Sequence, residues 1–201
     1  SSAASDVYKR QVDDAIKNKQ CLPSSASSEQ TAFLELKSVT VGFMVVAPTA
    51  QRLSLQCEAI AADTTTIRSL DWERSRFDIE FGLRNGTTYN SFLVRGERTA
   101  LIDSSHAKFR DSWIPLLNDQ IDPSAIDFLI VSHTEPDHSG LIGDLIDLNP
   151  EIEIVGSKVA IQFLQDQVHR PFRSRAVKSG EELDLGTNPE SGVQHRFEFL
   201  S

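Results

Sequence analysis

The pattern of apolar and polar residues divides the chain at about residue 62. Residues 63–201 carry sustained alternations and helical spacings, whereas residues 1–62 show no sustained period of 2 or 3.6. Strand-like runs separated by the turn dipeptides Asn85-Gly86 and Gly96-Glu97 predict a meander over residues 77–81, 89–95 and 98–102. We therefore expect a folded domain over residues 63–201, preceded by a flexible, largely disordered leader over residues 1–62.

Strands and helices alternate in the second part of the expected domain. The continuous apolar run over residues 128–131 is typical of a strand that is buried on both faces. Helices are predicted over residues 109–121, 141–148 and 158–168, with Ser157 as the cap of the last, and strands over 152–155, 174–177 and 196–200. The acidic stretch 181–184 is expected to be a solvated turn. This order of elements indicates an α/β domain with helices packed outside the sheet layers.

Composition and charge exclude several classes of function. The net charge of −9 argues against nucleic acid as a partner and against a basic membrane-binding patch. No apolar stretch approaches the roughly 20 residues that span a bilayer. Cys21 and Cys57 are too few for a disulfide framework or a thiolate zinc site, and both fall outside the expected domain. The Ser-rich leader is either an organelle transit segment or an ordinary flexible tail.

One segment concentrates metal-binding side chains directly after the predicted strand 128–131. His133, Glu135, Asp137 and His138 offer two imidazoles and two carboxylates within six positions. Sites in open α/β sheets form past the carboxyl ends of strands, and an extended segment would aim alternate side chains the same way. Pro136 favours an extended Glu135, whereas the adjacent Asp137 and His138 are expected to point differently and to serve two metals.

The donor set without a thiolate fits iron or manganese better than a structural zinc ion. Another interpretation stays open at this point. Asp137 would then cap a helix that begins near Leu141, and the other three side chains would lie on a solvated polar loop.

The motif His-x-Glu-x-Asp-His after an apolar strand resembles that of the flavodiiron proteins. Zinc hydrolases of the metallo-β-lactamase superfamily usually show His-x-His-x-Asp-His, from which Glu135 departs. The resemblance covers about residues 63–201, and further segments that carry it are 64–68, 86–94, 108–109, 154–156 and 183–186. These segments resemble the photosynthetic flavodiiron proteins of cyanobacteria and chloroplasts, and the intact motif resembles their B-type form. The fold thus implied is the first half of a metallo-β-lactamase-like αββα sandwich.

The resemblance implies an oxygen reductase that converts O2 to water at two non-haem iron ions. His133 and Glu135 would bind one iron, and Asp137 and His138 would bind the second. Electrons would come from FMN in a downstream domain, supplied by reduced ferredoxin or NAD(P)H. The working unit would be a homo-oligomer or a hetero-oligomer with an A-type partner, in the chloroplast stroma or the cyanobacterial cytoplasm.

The family pattern continues with a further His, a bridging Asp and a final His that this chain lacks. We therefore expect the chain to be a fragment that binds iron poorly and has no oxidase activity by itself. Two alternatives stay open, a zinc-dependent hydrolase of the same fold and a catalytically silent pairing subunit. Glu135 argues against the first, and the four intact ligands argue against the second. For His106, His169 and His195 we expect surface or structural roles.

Overall fold

Eleven strands and four α-helices make up residues 52–77 and 81–200, the part of the chain that this computed structural model describes. The strands are β1 (Leu53–Ala61), β2 (Thr64–Asp71), β3 (Arg76–Phe77), β4 (Phe81–Gly82), β5 (Thr87–Arg95), β6 (Thr99–Ile102), β7 (Phe128–Ile130), β8 (Glu153–Ser157), β9 (Arg173–Val177), β10 (Glu182–Thr187) and β11 (Gln194–Glu198). The helices are α1 (Arg110–Gln120), α2 (Pro136–Ser139), α3 (Ile142–Leu148) and α4 (Lys158–Val168), and 3-10 turns span Ala107–Phe109 and Pro123–Ala125.

Seven of these strands form one mixed sheet in the order β1-β2-β5-β6-β7-β8-β9. The pairs from β1 to β6 are antiparallel, and those from β6 to β9 are parallel. The parallel register places Ile102 beside Ile130, and Ile130 beside Val155. The carboxyl ends of β6 and β7 therefore lie next to each other, and the chain segments that follow them meet at one edge of the sheet.

Two hydrophobic clusters cover the two faces of this sheet. Along β7, Leu129 belongs to one cluster and Phe128 and Ile130 to the other, because successive side chains of a strand point to opposite faces. The first cluster takes its helical members from α1, α3 and α4, among them Trp113, Leu117, Ile142, Leu145, Ile161 and Leu164. The second is completed by Leu183 and Leu185 of β10, which pairs with β11 in a separate two-stranded sheet. The result is a helical layer, a large sheet and a second small sheet.

Several predicted elements are confirmed. The helix that contains Trp113 and Leu117 is α1, and β7 is buried at all three positions. Ser157 accepts a hydrogen bond from the backbone N–H of Ala160 and caps α4, as its sequence position predicts. Within residues 52–77 and 81–200, no helix combines the length and the apolar composition that crossing a bilayer requires.

Strand β1 corrects the predicted boundary at residue 62. Leu53–Ala61 pairs antiparallel with β2 and thus belongs to the folded sheet rather than to a leader. It lies at the edge of the sheet. Apolar and polar residues alternate along it from Leu53 to Ala59, and Leu53, Leu55 and Cys57 pack against the first hydrophobic cluster, so the strand carries a local signal that a boundary at residue 62 overlooks. Cys57 lies in this strand as a free thiol whose pKa is raised by burial, contrary to the expectation that it lies outside the fold. The leader and transit predictions for residues 1–51, with Cys21, lie outside the described residues.

Strand β10 corrects the expectation of a solvated turn over residues 181–184. Glu182–Thr187 pairs with β11, and Leu183 and Leu185 are buried against the large sheet. The acidic side chains occupy the alternate, exposed positions of the strand, which is the pattern of a half-buried strand.

The Asn85-Gly86 dipeptide does not join two strands of a hairpin. β5 pairs with β2 and β6, and β4 pairs with β3, while residues 78–80 lie outside the described part. Gly86 has a φ of +76°, and a Cβ atom there would lie 1.9 Å from the carbonyl oxygen of Asp71. Glycine is therefore required by the close approach to the end of β2.

Candidate metal centre

The four candidate ligands follow the carboxyl end of β7. Glu135 is extended, with φ −65° and ψ 147°, as the following proline favours. Pro136 then begins the one-turn helix α2, because proline at the first helical position costs no hydrogen bond. The expectation of one extended segment through Asp137 is therefore wrong, since Asp137 and His138 lie in this helical turn.

Asp137 and His138 bring their donor atoms together. Oδ2 of Asp137 lies 3.7 Å from Nε2 of His138, so the two adjacent side chains converge although they were expected to point differently. Two donors that bind one ion at about 2.0–2.2 Å lie roughly 3 to 4 Å apart. Asp137 is buried and His138 is half-buried, so the pair is placed to share one metal ion that stays accessible from the His138 side.

His133 and Glu135 lie on the solvent side of this pair. The ring of His133 packs against that of His138, with centroids 3.9 Å apart and planes inclined by 59°. Both His133 and Glu135 are exposed. Over the described ranges 52–77 and 81–200, no three His, Cys, Asp or Glu side chains are arranged to hold one metal ion. The described residues thus offer one converged donor pair and two open donors, whose chemistry fits iron but does not complete its ligand sphere.

Asp103, directly after β6, holds His138 from the side opposite Asp137. Its Oδ2 lies 2.8 Å from Nδ1 of His138 and accepts a hydrogen bond of 2.5 Å from Oγ of Ser132. Its Oδ1 accepts a 2.8 Å hydrogen bond from the backbone N–H of Ser132. Asp103 is buried and has a φ of +55°, a conformation that Asp tolerates better than most residues.

The sequence analysis missed Asp103. Its proximity to His138 depends on the parallel pairing of β6 with β7, which joins segments about 30 residues apart and has no local signature. The available signal was the polar run Asp103-Ser104-Ser105 directly after a predicted strand.

Burial and charge act in opposite directions on His138. Burial lowers the pKa of its imidazole, whereas the hydrogen bond and charge of Asp103, with the charges of Asp137 and Glu135, raise it. The net effect is a pKa above the ordinary value of 6.5. The same negative surroundings that favour a proton also favour a metal cation, which binds the deprotonated imidazole.

The loop after β6 packs directly against helix α2. Both the backbone N–H and Oγ of Ser104 donate to the carbonyl oxygen of His138, each at 2.7 Å. The backbone N–H of Leu141 in turn donates to Oγ of Ser104 at 3.2 Å. A Cβ atom on Gly140 would lie 2.5 Å from the carbonyl oxygen of Pro136 and 2.8 Å from that of Ser105. The backbone of the motif is therefore fixed by contacts from the neighbouring strand end.

The contacts of His106 and His195 agree with the structural roles expected for them. Nδ1 of His106 accepts a hydrogen bond from the backbone N–H of Lys108, and the ring stacks on Tyr89 with centroids 6.0 Å apart. Burial, followed by the charge of Lys108, lowers the pKa of His106. Nε2 of His195 lies 2.9 Å from Oδ2 of Asp63. His169 ends helix α4 in the left-handed conformation.

Known proteins share both the sequence and the fold of this chain, although no family model matches it. It is 60% identical to a putative diflavin flavoprotein A 3 from Nostoc sp. over 152 aligned residues. These residues are 76% of this chain and 25% of the Nostoc protein. A metal-soaked flavodiiron core from Synechocystis sp. matches 67% of this chain and 34% of its own length with a TM-score of 0.62 and 32% identity. The rubredoxin oxygen:oxidoreductase of Desulfovibrio gigas matches 65% of this chain and 33% of its own length with a TM-score of 0.61 and 30% identity.

The chain spans about a quarter of the length of the cyanobacterial diflavin flavoproteins that it matches. The similarity nevertheless covers three quarters of the chain and includes the strands and helices around the candidate ligands. The chain therefore belongs to the flavodiiron protein family, and its described residues have the fold of part of a metallo-β-lactamase-like domain.

Proposed function

We propose that this chain is part of a longer flavodiiron oxidoreductase that reduces O2 to water in photosynthetic alternative electron transport. The observation that carries the proposal is the donor pair of Asp137 and His138, 3.7 Å apart beside the ring of His133 at the carboxyl end of β7. The similarity to a protein named rubredoxin oxygen:oxidoreductase supports the reaction, and the similarity to cyanobacterial diflavin flavoproteins supports the photosynthetic setting.

The residues present fit a two-iron site in their chemistry. His133 and Glu135 would hold one iron, and Asp137 and His138 would hold the second, since imidazoles and carboxylates without thiolate suit iron. An iron pair held there would supply the binding position for O2 and would relay to it the four electrons that reduction to two water molecules requires, with the four protons coming from solvent. The buried Asp137 places a negative oxygen inside the domain, and the exposed His133 and Glu135 lie on its open side. The remaining ligands are proposed to come from sequence outside this chain.

The other components of the reaction are proposed from the family. FMN in a flavodoxin-like domain outside this chain would pass electrons to the irons, with reduced ferredoxin or NAD(P)H as the source. The protein would act as a homo-oligomer or with an A-type partner, itself being the B-type form. Its location would be the chloroplast stroma or the cyanobacterial cytoplasm.

The test is O2 consumption by the longer protein that carries this chain, reconstituted with iron and FMN without oxygen. Glu135→Ala and His138→Ala are expected to lose more than about 100-fold in activity, since even groups that only support metal ligands contribute 10–100-fold. His169→Ala, which removes an exposed imidazole at the end of α4, is the matched control and is expected to retain activity.

Two results would contradict the proposal. Hydrolysis of esters or thioesters with zinc, without O2 consumption, would identify a zinc-dependent hydrolase. Neither activity, with less than one iron per subunit, would identify a catalytically silent pairing subunit.

A further inference from the structure

The imidazole of His138 lies between two carboxylates, one facing each ring nitrogen. Oδ2 of Asp103 is 2.8 Å from Nδ1, and Oδ2 of Asp137 is 3.7 Å from Nε2. A neutral imidazole carries one N–H, so only one of these nitrogens donates while the other keeps a free lone pair. The hydrogen-bond distance on the Asp103 side and the longer one on the Asp137 side favour the proton on Nδ1.

The carboxylate of Asp103 is held so that the oxygen facing His138 acts as an acceptor. The backbone N–H of Ser132, which is always a donor, binds Oδ1 at 2.8 Å. This contact fixes the carboxylate plane and leaves Oδ2 for Oγ of Ser132 and Nδ1 of His138. Asp103 is 5% exposed, so little water competes for these bonds.

The backbone around Asp103 holds its side chain and the His138 segment in one arrangement. Its N–H donates to the carbonyl oxygen of Ile130 at 2.9 Å, which continues the pairing of β6 with β7. Its left-handed conformation turns the chain so that Ser104 donates twice to the carbonyl oxygen of His138. Asp103 and Ser104 thus hold both the ring and the backbone of one candidate ligand.

We propose that Asp103 is a positioning residue that keeps the proton of neutral His138 on Nδ1 and the lone pair of Nε2 directed at the metal position beside Asp137. Ligating histidines commonly donate their second ring N–H to a carboxylate, which fixes both tautomer and orientation. The inference rests on the proposed function only in taking Nε2 as a metal donor. The tautomer is a property of the chain without metal.

Asp103→Asn separates this role from simple packing. The backbone N–H of Ser132 will hold the amide oxygen at the place of Oδ1, which puts the NH2 group at the place of Oδ2. That group donates to Nδ1 of His138, so the ring proton is expected to move to Nε2. Asn has the same shape as Asp and also tolerates a φ of +55°.

The experiment is nitrogen NMR of the 201-residue chain, free of metal, with labelled imidazoles at a pH of about 9, where ordinary histidine is neutral. In the wild type, Nδ1 of His138 is expected to be protonated and Nε2 unprotonated. In Asp103→Asn, Nε2 is expected to be protonated and Nδ1 unprotonated. His106 and His195 serve as internal references with the opposite tautomer, because Nδ1 of His106 accepts and Nε2 of His195 faces Asp63. Ser132→Ala keeps the backbone N–H and is expected to leave the His138 tautomer unchanged.

A wild-type His138 with its proton on Nε2, or with an even mixture of tautomers, would overturn the inference. An unchanged tautomer in a folded Asp103→Asn variant would do so as well. If that variant does not fold, the wild-type and Ser132→Ala spectra decide the question alone. The tautomer is measured without metal, so this test is independent of O2 consumption by the longer protein. If Nδ1 of His138 carries the proton but the longer protein consumes no O2, the proposed function is wrong and the role of Asp103 in fixing the tautomer still holds.

Discussion

Gly140 is closely packed beside the candidate metal ligands. Its missing Cβ would lie 2.5 Å from the carbonyl oxygen of Pro136 and 2.7 Å from the backbone nitrogen of Ala107. Gly140→Ala is therefore expected to force backbone shifts and to lower the free energy of unfolding by about 1–3 kcal/mol. Urea denaturation measures the change.

Gly82→Ala is the control for this substitution, because nothing lies within 4 Å of the added Cβ and the strand is exposed. Its effect is expected to stay within about 0.5 kcal/mol. Equal stability of the two variants would show that the loop after β6 does not press on helix α2.

Asp63 joins the turn between β1 and β2 to the second sheet. The hydrogen bond from His195, followed by that from Ser191, lowers the pKa of this carboxyl below its ordinary value of 3.8. A lowered pKa in the folded state stabilises the fold above the ordinary value, and this stabilisation is lost as the pH falls through the lowered one.

Asp63→Asn is expected to reduce stability at pH 5, and the difference from the wild type is expected to shrink as the pH falls through the lowered pKa of Asp63. Asn also tolerates the φ of 57° at this position. Urea midpoints along the pH series give the difference. A difference that grows on acidification would contradict the assignment, and Asp166→Asn on the exposed face of α4 serves as control.

At the site, the sequence offered four candidate metal donors but gave no indication of how their side chains are held. His133, Glu135, Asp137 and His138 are recognisable because their types and spacing are local properties of the chain. Asp103 was not recognisable, because its contact with His138 exists only once β6 and β7 lie side by side.

Elements were predictable where one local signal dominates the segment. Helix α4 has a serine cap and apolar residues at helical spacing, and β7 is a continuous apolar run. β1 was missed although apolar and polar residues alternate from Leu53 to Ala59, because this short run was taken together with the Ser-rich segment that precedes it. β10 was misinterpreted because its acidic residues were given more weight than the alternating Leu183 and Leu185.

The cap of α4 gives a quantitative test at this scale. Ser157→Ala removes the acceptor for the backbone N–H of Ala160 and is expected to cost about 0.5–2 kcal/mol of unfolding free energy. Ser174→Ala, at an exposed position of β9, is expected to change it by less than about 0.5 kcal/mol. Chemical denaturation compares the two, and an equal effect would mean that the cap adds nothing to the helix.

At the scale of the whole described domain, the small β10–β11 sheet covers one face of the large sheet. Leu183 is 2% exposed and packs in the cluster that contains Phe128 and Val155. Leu183→Ala is expected to lower the unfolding free energy by about 2–5 kcal/mol. Leu200→Ala, at a side chain that is 81% exposed, is expected to have little effect. If Leu183→Ala and Leu200→Ala lower the unfolding free energy by similarly small amounts, the β10–β11 sheet is not packed against the large sheet.

The metal content of the longer protein tests the flavodiiron assignment of the site most directly. The protein would be purified without oxygen from cells supplied with both iron and zinc, beside a Glu135→His variant that restores the hydrolase-like motif. About two iron ions per wild-type chain are expected, since the carboxylates of Glu135 and Asp137 favour iron in a paired site. The variant is expected to shift the content toward zinc. Zinc in place of iron in the wild type would contradict the assignment.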